Sequence, residues 1–160
     1  VLTGRVDLQA LPLSGWLRLR ARGDVNKLGH LVQWPGMPGR RTRRFHWRGI
    51  RSCNFGLWYR DFEAVNGFDE SFSGWGHGDA DLVLRLHKRG LIRKNGHLAT
   101  EVFHLWHRQN SRADEAANRA RVMARLERGD ARAEIGLAEA GNLAGVVVNE
   151  LSRQPGENTR

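Results

Sequence analysis

The chain has 160 residues, of which 40% are hydrophobic and 27% charged, which supports one packed domain or a substantial piece of one and argues against intrinsic disorder. Its net charge of +9 points to an anionic partner or to basic surface loops. The single cysteine, Cys53, excludes an intrachain disulfide and a cysteine-based zinc site, so we expect a reducing, cytoplasmic setting.

Neither a secretory leader nor a membrane span is expected. The chain starts with Val1 and lacks a charged segment followed by an apolar one. The apolar run Leu143–Val148 is far shorter than the ~20 residues that cross a bilayer. We therefore expect a start removed by processing or truncation, or an excerpt of a longer chain.

The first elements along the chain are short. Two Pro-Gly breaks make residues 33–41 a loop. The apolar run "CNFGLWY" predicts a short strand over residues 53–59. "RDFEAV", residues 60–65, predicts a short helix that ends at Asn66-Gly67.

Two longer helices and a hairpin are expected next. The stripe Leu82, Val83 and Leu86 predicts a helix over 79–89. Asn95-Gly96, between two strand-like runs, predicts a β-hairpin. Ser111, with an acidic residue three positions later, resembles a capping box that starts a helix reaching Leu126. This order of elements indicates a mixed α/β fold.

The stretch "GWGHGDAD", residues 74–81, places a candidate catalytic base at the N-terminus of a helix. Gly74, Gly76 and Gly78 permit unusual backbone conformations and close approach by a ligand, and they flank Trp75 as a flexible hinge. Asp79 falls in the first helical turn, where the helix dipole favours an ionised carboxylate. An ionised, oriented Asp is suited to deprotonating a hydroxyl.

Two other interpretations fit the same stretch. Asp79 could simply cap the helix after a glycine turn, with Trp75 packed against the protein. A glycine-rich loop before a helix could also hold a phosphate. However, Asp79 and Asp81 would repel a phosphate, and no G-x-x-x-x-G-K-[ST] pattern is present.

The stretch "FHLWH", residues 103–107, holds two histidines that could bind a metal. In a continuing strand, His104 and His107 would point to opposite faces, so the strand must end near Leu105 for both to bind one ion. Further ligands would have to come from elsewhere in the chain. The alternative is one surface histidine and one histidine hydrogen-bonded in the core.

A basic stretch, Gly39–Arg51, offers a different function class. With Phe45 and Trp47 it could bind nucleic acid or a polyanionic glycan, or it could be a solvated loop. Because no helix-turn-helix, zinc-finger or RNP pattern is present, we expect no nucleic-acid partner.

The glycine-rich stretch and the histidine pair together resemble the galactosyltransferase-type C-terminal region of glycosyltransferase families 2 and 7. The resemblance runs from about Gly49 to His107, through "NGFDESFSGWGHGDADLVLRL" and then "FHLWH". The positions that match the family pattern are Asn66, Gly67, Phe68, Asp69, Phe72, Gly74, Trp75, Gly76, Asp79, Asp81 and Leu82.

The resemblance implies a GT-A fold, with a Rossmann-like mixed sheet, and an inverting transfer from a nucleotide-sugar donor, usually UDP-linked. The acceptor would be a glycan or a lipid-linked glycan, in polysaccharide or cell-envelope synthesis in the cytoplasm or at the inner membrane surface. The roles it implies are as follows: catalytic base, Asp79; substrate binding, Trp75, Gly76, Gly78, Asn54 and Asp81; ligands of Mn²⁺ or Mg²⁺, His107 and His104.

Two departures from the family pattern matter. Gly78 stands where the family has a Glu that contacts the acceptor, and no D-x-D metal motif precedes the site. We therefore divide the chain into an acceptor-side catalytic half, residues 1–110, and a C-terminal helical extension, residues 111–160. We also expect residues 1–160 alone to bind a UDP-sugar weakly or not at all, and an inactive remnant of a transferase is the alternative.

Overall fold

The computed structural model describes residues 10–46, 49–100, 102–104, 108 and 110–140, and the structural statements below concern these residues. Helices are their main regular secondary structure, and they contain one sheet of two very short strands. The helices are α1 (Leu13–Ala21), α2 (Tyr59–Ala64), α3 (Gly78–Lys88), α4 (Glu115–Arg128) and α5 (Leu137–Ala140), the strands are β1 (Arg41–Thr42) and β2 (Arg93–Lys94), and single 3₁₀ turns cover Gly29–Leu31 and Ser52–Asn54.

Helices α2 and α3 confirm the predictions made for them. Helix α2 ends before Asn66 and Gly67, whose φ angles of 63° and 70° are left-handed and stop the helix. Helix α3 lies within one residue of the predicted range at each end. These ends are set by local chemistry, which is why a short stretch of sequence is enough to locate them.

Helix α4 starts later than the capping-box pattern predicts. Ser111 accepts a hydrogen bond from the Ala113 N–H (3.3 Å) and forms a local turn, and Asp114 at the N-cap makes no side-chain capping bond. Gly129, with φ 87°, ends the helix. Helix α1 has no counterpart among the predicted elements.

The predicted hairpin at Asn95-Gly96 is wrong. Strand β2 pairs antiparallel with β1, far away in sequence, in the register Arg41 with Lys94 and Thr42 with Arg93. The Asn95 side chain accepts a hydrogen bond from the His97 N–H (2.8 Å), which starts a local turn in place of a second strand. The strand predicted over 53–59 is also absent, because a 3₁₀ turn and an extended segment lead directly into α2.

The α/β prediction is therefore met only in part. The described residues combine helices with a small antiparallel sheet, and no larger mixed sheet lies among them. The GT-A fold and the division at residue 110 stay predictions.

The core forms where α3 packs against α4. Its fully buried apolar side chains include Leu82 and Leu84 of α3 and Val122 of α4. Of the predicted stripe only Leu82 is fully buried, whereas Val83 and Leu86 are half-buried. The inner face of α3 instead includes Asp81 and Arg85, each 0% exposed.

A buried network of four charged side chains joins α3, α4 and the segment after α2. Asp81 accepts hydrogen bonds from Arg85 Nε (2.8 Å) and Arg125 Nη1 (2.5 Å), and Arg125 Nη2 also donates to Asp69 (2.7 Å). Arg85 donates further to the carbonyls of Val65 (2.6 Å) and Gly67 (2.7 Å). Because buried charges are costly unless paired, this network requires the helices to meet in one geometry.

Asp69 shows the electrostatic effect of this network most clearly. Burial by itself raises the pKa of this carboxyl, but hydrogen bonds from Arg125, from the Ser71 backbone (3.0 Å) and from the Glu134 backbone (3.0 Å) outweigh it. The pKa is lowered from 3.8 to about 2. The folded state thus strongly favours the ionised carboxylate.

None of the helices in the described part of the chain combines the length and the apolar character needed to traverse a bilayer. The run Leu143–Val148 lies outside the described residues.

Candidate active site

The glycine-rich loop before α3 has the unusual backbone that its sequence predicts. Gly74, Gly76 and His77 have φ angles of 65°, 105° and 66°. Glycine adopts such left-handed conformations without penalty, whereas His77 is an exception at the N-cap of α3. The loop therefore turns sharply into α3 and delivers the next residues to its first turn.

Asp79 lies in the first turn of α3, as predicted, and is half-buried. One carboxylate oxygen accepts a hydrogen bond from the adjacent Ala80 N–H (2.9 Å), and the other accepts one from the Ser52 N–H (3.3 Å). The carboxylate is thus oriented between α3 and the 3₁₀ turn 52–54. A fixed, partly accessible carboxylate can accept a proton from a bound hydroxyl.

Sequence reasoning missed the contact with Ser52, because 27 residues separate the partners. The same 3₁₀ turn is anchored from its other end, where the Asn54 side-chain amide donates to the Thr100 carbonyl. The structure thus gives Asn54 a place in the support of Asp79, beside the substrate-binding role that the resemblance implies.

Trp75 is 38% exposed, and its loop contacts both α4 and the segment just before α4, whereas the sequence predicted a flexible hinge. The guanidinium carbon of Arg112 lies 4.4 Å from the Trp75 ring centroid, a cation–π contact. The Asn118 side-chain amide donates to the carbonyls of Ser73 (2.8 Å) and Trp75 (3.4 Å). These partners lie about forty positions away, so no local sequence signal could reveal them.

Two of the loop glycines differ in what surrounds them. A Cβ on Gly74 would collide with the Asp114 carboxylate, and the residue's φ is left-handed, so another residue there would be strained. A Cβ on Gly78 would meet only the Phe72 Cβ, at 3.9 Å, and its φ is not left-handed. The backbone therefore does not require glycine at position 78, which is the position that departs from the family pattern.

Asp81, predicted to bind substrate, is fully buried with both carboxylate oxygens in ion pairs. One partner, Arg85, lies four residues along α3, whereas the other, Arg125, comes from α4, which a local pattern cannot specify. We assign Asp81 to the structural network and leave it out of the proposed binding site.

The predicted metal ligands are only partly covered by the structure. His104 is exposed, and His107 lies outside the described residues. No group of three or more His, Cys, Asp or Glu side chains arranged to hold a metal ion occurs among the residues that the structure describes. The described side chains therefore do not form a metal centre by themselves, and the His104–His107 pair stays a prediction.

The basic stretch 39–51 contains one arginine that is buried in the fold and several that are exposed. Arg40 is only 6% exposed and donates from Nε to the Asn95 carbonyl (2.8 Å) and from Nη1 to the Pro35 carbonyl. Arg41, Arg43, Arg44 and Arg51 are exposed, whereas Trp47 and Arg48 lie outside the described residues.

A groove of about 710 Å³ lies elsewhere, beside α1. Trp16 stacks on Phe103 in its wall (ring centroids 5.6 Å apart), and His30 packs edge-on against both rings. None of the predicted site residues that the structure describes lines this groove.

Comparison with known proteins supports the resemblance. Residues 40–108 match a protein-family model described as the N-terminal domain of galactosyltransferase. The matched segment contains Asp79, the glycine-rich loop, Asn54 and both candidate histidines, whereas α4 lies beyond it.

Similar curated proteins are also glycosyltransferases by name. The chain is 44% identical over 45 residues to the validoxylamine A glucosyltransferases of Streptomyces hygroscopicus subsp. jinggangensis (strain 5008) and subsp. limoneus. Those residues are 28% of this chain and 11% and 10% of the two relatives, so the match spans about a tenth of their length. No solved structure matches the chain.

Proposed function

We propose that this chain, whose residues 40–108 match a glycosyltransferase family model, is the acceptor-side part of a sugar-transferring enzyme. The donor is a nucleotide-linked sugar, with UDP as the expected nucleotide, and the acceptor is a hydroxyl of a glycan or lipid-linked glycan. We place the reaction in the cytoplasm or at the inner membrane surface. The observation that carries the proposal is the half-buried Asp79 carboxylate, which two backbone N–H groups orient and which follows the exposed Trp75 by four residues in the sequence.

In the proposed reaction Asp79 acts as the general base. It accepts the proton of the acceptor hydroxyl, and the oxygen attacks the anomeric carbon of the donor sugar from the face opposite the nucleotide. The bond between that carbon and the diphosphate oxygen breaks, and the nucleoside diphosphate leaves with the bonding electrons. One carboxylate is sufficient for such an inverting displacement, and the Ser52 and Ala80 N–H groups restrict where it can point.

The loop next to Asp79 supplies the binding surface. Trp75 offers a flat apolar ring against which a sugar can pack, and its bulk excludes water that would otherwise compete as acceptor. Gly76 and Gly78 allow the substrate to approach the backbone closely, and Asn54 lies on the 3₁₀ turn whose Ser52 contacts Asp79.

Mn²⁺ or Mg²⁺ is the metal that we propose for the enzyme, with His104 and His107 as ligands and further ligands from outside the described residues. A bound divalent cation would neutralise charge on the leaving diphosphate. The described residues do not complete such a centre, so the role of Asp79 is derived without it.

The test compares Asp79→Asn with a matched control in the full-length protein that contains this sequence. Asp61 also lies in the first turn of a helix and is half-buried, so Asp61→Asn removes a comparable charge outside the site. Sugar transfer from a panel of UDP-sugars, with Mn²⁺ or Mg²⁺ present, is measured by release of UDP in the presence of acceptor glycans.

We expect Asp79→Asn to lower kcat by about 10²–10⁴-fold, with donor affinity measured by calorimetry nearly unchanged. Asp61→Asn should retain the wild-type rate. Equal turnover in wild type and Asp79→Asn would remove Asp79 from the base role, and absence of transfer by the wild type would favour the inactive remnant.

A further inference from the structure

Helix α4 lies outside the segment that matches the glycosyltransferase family, yet it makes the contacts that hold the Trp75 loop. We propose that Asn118 of α4 is a positioning residue, which fixes the backbone of this loop and so sets where Trp75 stands relative to Asp79. The catalytic consequence rests on the function proposed above, whereas the structural consequence does not.

The surroundings of Asn118 favour this role. Asn118 is 2% exposed and its side-chain amide is directed to the loop carbonyls of Ser73 and Trp75, at 2.8 and 3.4 Å. Asn is a poor helix former, and a buried amide is costly unless it is hydrogen-bonded. At this helix position, an apolar side chain of similar size would leave both loop carbonyls without this donor.

The same face of α4 is fixed to the helix that carries Asp79. Asn118, Val122 and Arg125 are spaced four and three residues apart, so they share one face of the helix. Arg125 is paired with Asp81, two residues after Asp79 on α3. One face of α4 therefore contacts both the loop that bears Trp75 and the helix that bears Asp79.

The shape of the loop also depends on α4. A Cβ on Gly74 would collide with the Asp114 carboxylate, and a Cβ on Gly76 would lie 3.5 Å from Glu115. The loop backbone thus lies directly against the N-terminal end of α4, and a side chain at position 74 would displace the Asp114 carboxylate. Hydrogen bonds from Asn118 then fix the loop in register with the helix.

Arg112 acts on the same loop in a different way. Its guanidinium covers the Trp75 ring at 4.4 Å, so its contact is with the ring, whereas the contacts of Asn118 are with the loop backbone. The Arg112→Ala variant should therefore change the environment of the ring while leaving the backbone in place, which separates ring contact from backbone positioning.

The experiment follows Trp75 by NMR in the full chain. Its indole N–H signal is identified by its disappearance in Trp75→Phe, and its backbone amide by assignment. Asn118→Asp keeps the shape of the side chain but removes the amide donor, so the Trp75 backbone signal should shift or broaden. The control Val122→Ala, which removes buried volume one turn further along the same face, should leave that signal in place.

A measurement on the unaltered chain covers the case in which Asn118→Asp does not fold. The Asn118 side-chain amide protons should show nuclear Overhauser contacts to the Trp75 and Ser73 backbone and should exchange slowly with solvent. An unmoved Trp75 signal in folded Asn118→Asp, an equal shift in Val122→Ala, or the absence of these contacts in the wild type would each overturn the proposal.

Activity provides the catalytic readout once transfer is established. Asn118→Asp should raise the acceptor KM or lower kcat by about tenfold or more, with donor affinity unchanged. A normal rate in a variant whose Trp75 signal has moved would overturn the catalytic part. If the wild type shows no transfer, the proposed function fails, and the NMR result still decides the role of Asn118.

Discussion

Replacing Asp69 by Asn tests how strongly the buried charge network stabilises the fold. Asp69 is 5% exposed, and its carboxylate accepts hydrogen bonds from Arg125 Nη2 (2.7 Å) and from the backbone of Ser71 and Glu134. The amide that replaces this carboxylate is similar in shape, but it is uncharged, and one of its two polar ends would direct N–H groups at neighbouring donors. The substitution therefore removes the charge with little change in packing volume.

The size of the effect follows from the pKa of Asp69. A carboxyl whose pKa falls from 3.8 in the unfolded chain to about 2 in the folded protein contributes about 2 kcal/mol at neutral pH. Because the folded pKa is the lower one, this contribution is present above about pH 4 and is lost as the pH falls through about 2. Asp69→Asn should thus be destabilised by about 2 kcal/mol or more at pH 7, and the difference from wild type should shrink in acid.

The measurement is urea unfolding followed by circular dichroism at pH 7, 4 and 2.5. Asp130→Asn is the matched control, because the Arg128–Asp130 pair has the same 2.7 Å separation but side chains that are 52% and 44% exposed. Exposed pairs contribute at most about 1 kcal/mol, so this control should lose little at any pH. If both variants lost the same amount at pH 7, or if the Asp69→Asn deficit did not depend on pH, the reasoning from burial would be refuted.

Three further predictions concern three glycines and the proposed metal. Gly78→Ala should be neutral or should stabilise the fold by up to about 1 kcal/mol, whereas Gly74→Ala should destabilise it by about 1–3 kcal/mol, as measured by urea unfolding. The reason is that only Gly74 has a left-handed φ and a carboxylate where the Cβ would lie. Equal losses of stability in the two variants would contradict this. Gly136→Ala should be destabilised by at least about 2 kcal/mol, because its Cβ would collide with the Asn66 carbonyl. A thermal unfolding midpoint equal to that of the wild type would contradict this and would show that the backbone can shift to relieve the collision. His104→Ala should raise the Mn²⁺ concentration needed for half-maximal transfer; an unchanged titration would disprove the ligand assignment.

Much of the site's local framework could be predicted from the sequence. The ends of α2 and α3 follow from Asn66-Gly67 and from the glycine-rich loop, because left-handed turns and helix termini are determined by adjacent residues. For the same reason Asp79 falls in the first turn of α3, as expected. The family resemblance also depends on closely spaced residues and is supported by the match over 40–108.

The predictions that failed depend on partners far away in sequence. Asn95-Gly96 has the local chemistry of a hairpin, but β2 pairs with β1, across more than fifty residues. Periodicity marked Val83 and Leu86 as core, yet the inner face of α3 also contains Asp81 and Arg85. A pattern of apolar residues cannot show that two charges will be buried, because their burial depends on a counter-charge supplied by another element.

The sequence by itself determined where α2 and α3 begin and end, which carboxylate occupies the first turn of α3, and which family the central segment resembles. Only the tertiary structure decided that Asp81 is a core ion-pair residue, since its partner Arg125 lies 44 positions away, and that α4 holds the Trp75 loop through Asn118. The physical reason is that turns and helix ends are fixed by interactions over a few residues. The burial of a charge or an amide is decided by whichever distant side chain or carbonyl satisfies it.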